Sequence, residues 1–446
     1  MKIFIAGAGE VGFHIAEQLI LENRDVVVIE RDKERAKHAS NHLDCMVIND
    51  DATNIEVLKE AGLARASAFI SATDSDEVNM ISCFVVASEF NVPLKIARVK
   101  SLKYTGTRIF SGGYGVDYIV NPEIEAAKAI INNIQHGATS DIFSFDDSEI
   151  QLRDIYMDDE HFLIGKKLKE IKGSLREEFI VAGIIREDEI IIPSGETVIT
   201  EGDHVFIVAS VSTFEKILVK IGTPKKRIKT VVIVGAGRMG RYVTEKLLQL
   251  GRRVKVVDRD YELCKKIASD FPGALVINGD ISDKSVFEDE DFADNDLIVT
   301  TTSNEELNIL TAIYAKSLGV KKAIALVNKT NYLHISAELG LNATVSPKIS
   351  SVNAILKFMR QGSILNVFKI FDGRAEVTEF SLSPNNELCG KTLKDTRFPA
   401  GSVVAAVSRG SKHLIPDGNF VFAEKDRIVT FSVKEASSAL SEMFSG

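Results

Sequence analysis

The sequence predicts an α/β chain built from two tandem copies of one two-part module, a parallel-sheet domain followed by a small α+β domain. Three observations predict it: a long internal repeat, short apolar strands alternating with helical stretches inside each copy, and a turn-rich, β-branched segment closing each copy. The length agrees, since 446 residues correspond to about two to four domains of usual size.

The repeat carries the division. Lys2–Gly12 (KIFIAGAGEVG) returns 228 residues later as Thr230–Gly240 (TVVIVGAGRMG), and Glu30 matches Asp258 at the same offset. Val47–Thr53 matches Val276–Ser282, and Ala72–Met80 matches Thr301–Ile309, both at 229. Val120–Pro122 matches Val345–Pro347 and Ile164–Glu170 matches Cys389–Asp395, both at 225. Arg186, Pro193 and Asp203 match Arg409, Pro416 and Asp426 at 223. Loop insertions and deletions produce such drifts, and a period of roughly 220 residues is far too long for a solenoid unit. The expected domains are 1–137, 138–222, 223–362 and 363–446.

Within copy one, Ile3–Ala6 reads as a strand, Val11–Leu21 as a helix, Val26–Glu30 as a strand and Asp32–Asn41 as a helix. Strands near Met46–Asn49, Ala68–Ser71 and Lys95–Val99 alternate with further helices, and a connecting helix covers Pro122–Ile134. Continuous apolar strands of this length, separated by helices, indicate a parallel sheet covered on both faces. The second part, about Phe143–Val219, has strands broken at Pro193-Ser194-Gly195 and Glu201-Gly202-Asp203, as a small α+β domain of roughly 75 residues requires. Ile221–Thr230 contains Gly, Pro and four basic residues and reads as an exposed linker.

Gly7-Ala8-Gly9-Glu10-Val11-Gly12 follows a strand and opens a helix, the context that gives a GxGxxG its meaning. Gly7 serves the tight turn, Gly9 the close approach of a pyrophosphate, and Gly12 the packing of helix on strand. The helix N-terminus offers free N–H groups to phosphate. Glu30, 18 residues past Gly12, is placed to accept both ribose hydroxyls, which favours NAD or an adenosine nucleotide over NADP. Copy two repeats this Rossmann-like arrangement with Gly235, Gly237, Gly240 and Asp258. Asp51, Thr73 and Asp74 follow later strands and belong to the same crevice, with helix capping as their alternative role. Arg98 lies in an otherwise apolar strand and needs a partner, either a phosphate or an internal carboxylate. Its counterpart is Leu326, so the two sites are expected to differ.

Other chemistries find little support. There are 54 basic and 63 acidic side chains, a net charge of −9, which argues against a broadly basic nucleic-acid surface. No apolar run reaches the ~18–20 residues of a membrane span, and the N-terminus opens directly into a strand, so a soluble intracellular protein is expected. Cys45, Cys83, Cys264 and Cys389 are scattered and read as buried reduced thiols, while His38 and His42 read as a solvated helix face rather than a zinc pair. No P-loop and no GxSxG elbow occur. His161 and His204 have no histidine counterparts in copy two, and no acid–base pair suggests a dehydrogenase. Nucleotide sites without chemistry suggest sensing by a shift in conformational equilibrium.

These residues resemble a known family over essentially the whole chain. GAGEVG, VIERD, DAT, ATDSDEVN, IARV and VNPE, followed by Arg186, Pro193 and Gly202-Asp203, are similar to the modules that regulate potassium conductance (RCK, or KTN, with a TrkA-C domain). Two modules in tandem resemble the TrkA-type cytosolic regulatory subunits of Trk and Ktr potassium uptake systems. The resemblance implies a non-enzymatic peripheral protein at the inner face of the cell membrane, self-associating as a ring, with a homotetramer expected. Its partner would be a potassium-translocating membrane subunit of the TrkH, TrkG or KtrB kind.

The resemblance also implies NAD(H) or ATP/ADP as the regulatory ligand, and it extends the sites. The first becomes Gly7, Ala8, Gly9, Glu10, Val11, Glu30, Asp51, Thr73, Asp74 and Arg98. The second becomes Gly235, Ala236, Gly237, Arg238, Met239, Asp258 and, more weakly, Asp280. Asp50 departs from the family's usual Gly, which copy two keeps at Gly279, and Leu326 departs from the Arg. The apolar faces of the connecting helices (Ile124, Ala127, Ile131; Val352, Ile355, Leu356) need burial beyond one small domain, so these helices are expected to exchange between neighbouring modules. Alternatives left open are an oxidoreductase, a regulator of another channel or antiporter, and sensing by the small domains.

Overall fold

In the first strand, β1 (Lys2–Ala6), alternate side chains face opposite ways: Ile3 and Ile5 enter one buried cluster, Phe4 and Ala6 another. That period of two, with both faces apolar, is what a strand covered by helices on both sides requires. The computed structural model describes residues 2–22, 24–101, 115–135, 142–145, 148–157, 163–187, 189–220, 228–329, 332, 335–336, 339–359, 364–370, 374–410 and 412–445. Two compact units result, residues 1–140 with 227–359, and residues 141–226 with 360–446.

The first unit holds both parallel-sheet domains. Copy one continues with α1 (Glu10–Leu21), β2 (Asp25–Ile29), α2 (Lys33–His42), β3 (Met46–Ile48), α3 (Ile55–Glu60), β4 (Ala66–Ser71), α4 (Asp76–Glu89), β5 (Leu94–Arg98), β6 (Tyr118–Val120) and α5 (Pro122–Gln135). Its six strands are parallel in the order β3-β2-β1-β4-β5-β6, so successive strands are laid down on one side of β1 and then, from β4, on the other, which opens a crevice at the strands' carboxyl ends. Asp32, Asn54 and Ser75 cap α2, α3 and α4, each accepting from a backbone N–H in the first turn.

The small domain of copy one, in the second unit, comprises β7 (Ile142–Ser144), β8 (Ile150–Tyr156), α6 (Leu168–Leu175), β9 (Phe179–Arg186), β10 (Glu189–Ile191), β11 (His204–Ser210) and α7 (Val211–Lys220). Copy two returns to the first unit with β12 (Thr230–Val234), α8 (Arg238–Gln249), β13 (Arg253–Asp258), α9 (Tyr261–Asp270), β14 (Ala274–Asn278), α10 (Lys284–Asp289), β15 (Leu297–Thr300), α11 (Glu305–Ser317), β16 (Lys322–Leu326), β17 (Ala343–Val345) and α12 (Pro347–Met359). Its strand order, β14-β13-β12-β15-β16-β17, is that of copy one.

The connecting helices exchange between the two copies of the one chain. Helix α5 buries Ala126, Ala127, Ile130 and Ile134 against the copy-two sheet and α8, among Val231, Ile233, Val243 and Val256. In return α12 buries Val352, Ile355, Leu356 and Met359 on the copy-one sheet beside α1. Each isoleucine or leucine so placed contributes roughly 1.5–3 kcal/mol. Of the expected α5 face, Ala127 is buried and Ile131 packs half-buried against the same core, but the face is centred part of a turn away, with Ile124 only partly buried and Ala126, Ile130 and Ile134 buried. The buried alanines lie where the helix comes close to its bed, and a hydropathy pattern gives alanine little weight.

The second unit pairs the two small domains. The copy-two elements are β18 (Ile364–Ile370), β19 (Ala375–Ser381), β20 (Ser402–Arg409), β21 (Lys412–Leu414), β22 (Arg427–Val433) and α13 (Lys434–Ser445). Two five-stranded antiparallel sheets, β10-β9-β11-β8-β7 and β18-β19-β22-β20-β21, share a core that includes Leu152, Ala182 and Val208 with Val377, Ala406 and Phe431. Behind the β10–β11 turn, Asp203 is fully buried and takes two hydrogen bonds from Arg186, at 2.8 Å each, and a third from Thr200 N. Asp426 does the same with Arg409 and Ala423 N. The neighbouring Gly202 is left-handed (φ 83°), but its counterpart is Lys425, held at φ 64°. Lys425→Gly is therefore expected to stabilise the fold by about 0.5–1 kcal/mol after the extra freedom of the unfolded glycine is subtracted, read as a higher unfolding midpoint in denaturant.

Among the thiols, Cys83 and Cys264 are buried, but Cys45 and Cys389 are half-exposed, against the expectation that all four are buried; all four are free. Partial burial, with Asp44 nearby, pushes the Cys45 thiol up to about 11. His38 and His42 stay exposed, with rings 4.2 Å apart. The first seven residues of the expected linker, 221–227, and His161 lie outside the described residues.

Candidate functional site

The two strand-to-helix turns at the crevices differ from every capped helix above. Helices α1 and α8 start at Gly9 and Gly237, and neither has a side-chain cap, which leaves first-turn N–H groups facing the crevice. The glycines have separable roles. Gly7 and Gly235 adopt φ 99° and 109°, which only glycine takes without strain. A methyl at Gly12 would stand 2.0 Å from the Gly7 carbonyl oxygen, and one at Gly240 would stand 1.8 Å from that of Gly235. The third glycine thus lets the helix pass the loop itself rather than only the strand. At Gly237 a methyl would meet nothing within 4 Å, and at Gly9 only the tip of Arg35 at 3.5 Å. The protein's own packing does not require the middle glycine, so the open space is on the side a ligand would use.

In copy one a cleft of about 670 Å³ opens over this turn. Gly7, Gly9, Glu30, Asp51, Thr73 and Asp74 line it. An adjoining recess on the other side of Gly9 contains Ala8, Glu10, Val11, Asp74 and Arg98. In copy two the corresponding cleft, about 380 Å³, is lined by Gly235, Gly237, Asp258 and Asp280. Ala236 and Met239 turn instead into the core that receives α5, and Arg238 pairs with Glu123.

The acidic residue after the second strand already has backbone partners. Ala8 N donates to Glu30 Oε2 at 2.6 Å and Asp32 N to Oε1 at 2.8 Å; Asp258 receives Ala236 N and Asp260 N at the same distances. The carboxylate thus staples the glycine loop to the following helix start. Each oxygen keeps a second lone pair for a ligand hydroxyl.

Asp51 forms a turn with Thr53, accepting from both its N–H and its hydroxyl, and Asp280 repeats this with Ser282. The hydrogen bonds from Thr53 hold the Asp51 carboxyl below its usual range. The cap of the following helix is Asn54, so the capping alternative for Asp51 does not hold. Nor does it for Thr73 and Asp74, since Ser75 caps α4. Thr73 joins a buried network through Asn79, whose amide also donates to the Arg98 carbonyl at 2.7 Å; Thr302, Asn308 and Leu326 repeat it.

Asp74 takes a 3.0 Å hydrogen bond from Arg35 across the cleft, and this bond holds its carboxyl below the usual range. Arg98 is 8% exposed, and its Nε is buried with no hydrogen-bond partner among the described residues. Burial lowers its pKa, against the nearby charges of Asp74 and Asp76. A desolvated guanidinium with an unused donor at the edge of an uncapped turn has the chemistry of a phosphate partner.

Two residues of this region were not anticipated. Arg35 is one turn past the Asp32 cap, a spacing that aims it back at the cleft. Lys348 reaches the copy-one recess from α12 of copy two, where it pairs with Glu10. The available signal was the repeat itself, which aligns Lys348 with Glu123.

The TrkA-N domain model matches residues 3–122 and 231–347, and the TrkA-C domain model matches residues 152–222 and 377–445. The Trk system potassium uptake protein TrkA homolog 1 of Methanosarcina mazei is 32% identical over the full length of both chains. The Trk system potassium uptake protein TrkA of Vibrio alginolyticus is 29% identical, covering 98% of this chain and 96% of its own. Among solved structures, the GsuK channel bound to NAD aligns at TM-score 0.57 and 20% identity over 99% of this chain and 78% of that one. The GsuK RCK domain aligns at 0.57 and 19%, over 99% and 94%. At such identity these two share the fold.

Proposed function

The chain belongs to the TrkA family, and on that premise we propose that it is a nucleotide-sensing regulatory subunit of a potassium uptake system. NAD(H) or an adenine nucleotide occupies the crevices, and exchange of ligand shifts the equilibrium between conformations of a ring-shaped, tetrameric assembly. The ring gates a potassium-translocating membrane protein of the TrkH, TrkG or KtrB kind from the cytoplasmic face. The observation that carries the reading is the uncapped, sterically open turn at Gly9 with a carboxylate beside it, present in both copies. The relatives' names supply the potassium system, and the NAD-bound channel of like fold supports the ligand class. No helix among the described residues is long and apolar enough to cross a membrane, in keeping with a docked partner.

The chain's own groups would divide the work. N–H groups at Gly9, Glu10 and Val11 hold the phosphates, Glu30 the ribose hydroxyls, and Arg98 a further phosphate oxygen. Binding energy goes into the difference between two conformations, and the shift can be no larger than that difference.

Calorimetric titration with NADH, NAD, ATP and ADP tests this. Saturable binding without turnover is expected, weakened at least about 100-fold in Gly9→Asp through overlap and like charge, and about tenfold in Arg98→Leu, which installs the copy-two residue. Binding unchanged in Gly9→Asp, or absent for all four nucleotides, would remove the crevice from the mechanism.

A further inference from the structure

Among the described residues two ion pairs join the copies within the first unit, and their charges are interchanged. Lys348, at the start of α12, pairs with Glu10 at the start of α1. Glu123, at the start of α5, pairs with Arg238 at the start of α8, Nη2 to Oε1 at 2.5 Å. The repeat aligns Glu10 with Arg238 and Glu123 with Lys348. These are therefore one contact, generated twice by the duplication, with acid and base swapped.

The swap has a consequence for pairing between chains. If copy one exchanged helices with copy one of another chain, Glu10 would face Glu123 at both contacts. If copy two did the same, Arg238 would face Lys348 at both. Only the unlike pairing sets acid against base twice. The apolar surfaces discriminate poorly, because α5 and α12 rest on equivalent beds: Ile3, Ile5, Val26 and Val28 in copy one, Val231, Ile233, Val254 and Val256 in copy two. Sheets this alike accept either helix with modest repacking.

We propose that Glu10, Glu123, Arg238 and Lys348 are specificity residues that restrict helix exchange to unlike copies and so keep like copies of separate chains from pairing. One apolar contact adds to the selection. Tyr118 of copy one stacks on Phe358 of α12 with ring centroids 4.0 Å apart, whereas their counterparts are Ala343 and Asn133. The ion pairs are half-exposed, with side-chain exposures of 31% and 64% for Lys348 and Glu10, and 57% and 29% for Arg238 and Glu123. Such pairs stabilise the correct contact little, so their effect falls on the incorrect ones, where like charges meet. The inference holds whether or not the crevices bind nucleotide.

The test refolds the full chain from denaturant at high concentration, treats it with a lysine-reactive cross-linker and counts links between identical residues. Lys128–Lys128 reports α5 against α5, Lys357–Lys357 reports α12 against α12, and each link must join two chains. The double variant Glu10→Arg/Lys348→Glu keeps both unlike contacts attractive while making both like contacts attractive. It is expected to raise the identical-residue links about tenfold over wild type, the result of a swing of order 1 kcal/mol or less at each of two contacts. Wild type refolded in 1 M salt, where charges are screened beyond about 3 Å, is expected to show a rise as well. Links that stay at the wild-type level in the double variant overturn the proposal, and so does a wild type whose links do not respond to salt.

Discussion

Replacing Gly12 with alanine is expected to destabilise the first parallel-sheet domain by about 3 kcal/mol or more, among the largest effects a single methyl can have here. The added carbon would lie 2.0 Å from the Gly7 carbonyl oxygen and 3.0 Å from its carbon, both backbone atoms that cannot rotate aside. Retreat of the loop is blocked too, because a Cβ-sized displacement at Gly7 meets the Thr73 backbone at 3.0 Å. Either α1 lifts from the sheet or the turn opens, and both break the Ala8–Glu30 hydrogen bond. Hydrogen exchange across β1 and α1 would show local loss of protection, and the unfolding transition would move to lower denaturant. Gly240→Ala, at 1.8 Å, should do the same to copy two. Gly9→Ala is the control. It meets only the tip of Arg35 and should change stability by less than about 1 kcal/mol. Equal losses at Gly9 and Gly12 would contradict the division of roles among the glycines.

Asp203→Ala should destabilise the small-domain unit by about 2–3 kcal/mol. The substitution leaves Thr200 N without its acceptor and leaves the Arg186 guanidinium with only the Val198 carbonyl. Arg186 is 33% exposed and can rehydrate, which sets the effect at the lower end of the range for broken buried pairs. Burial opposes ionisation of Asp203, but the hydrogen bonds from Arg186 and Thr200 outweigh it and hold the carboxyl below its usual range. A depressed folded pKa contributes stability that is present above the unfolded value of about 3.9 and is lost as pH falls through the folded one. The wild-type unit should therefore weaken steeply below about pH 4. The alanine variant should be less stable across pH 5–8 yet show a flatter acid decline, measurable as denaturation midpoints on either side of pH 4.

The repeat, the strand–helix alternation and the glycine loops were open to reading because each leaves a local trace. Apolar runs marked Asp25–Ile29 and Leu94–Arg98 within a residue or two of the expected strands. The staple role of Glu30 was less accessible: a carboxylate at that spacing is visible in the sequence, but its backbone partners, 22 residues away and two residues on, depend on the folded turn. Asp51, Thr73 and Asp74 each sit one to three residues ahead of the true caps, Asn54 and Ser75, and a run of polar residues at a helix start does not say which one turns back. The exchange of connecting helices was anticipated from their apolar faces, yet the face of α5 was misplaced because Ala126 weighs little in hydropathy and much in close packing.

The helix exchange also bears on how the protein is made. Helix α5 is complete at residue 135, but the sheet that covers it is assembled from strands spread over residues 230–345. At about 5–20 residues per second, the ribosome needs roughly 10 to 40 s to supply those strands from Gln135 onward, and a little longer to supply α12 for copy one. Until then each nascent chain carries Ala126, Ala127, Ile130 and Ile134 uncovered, together with the sheet face that α12 later occupies. Translation speed and holding chaperones thus become determinants of yield, and a ribosome stall between the copies would release a half-built chain with two apolar surfaces on display.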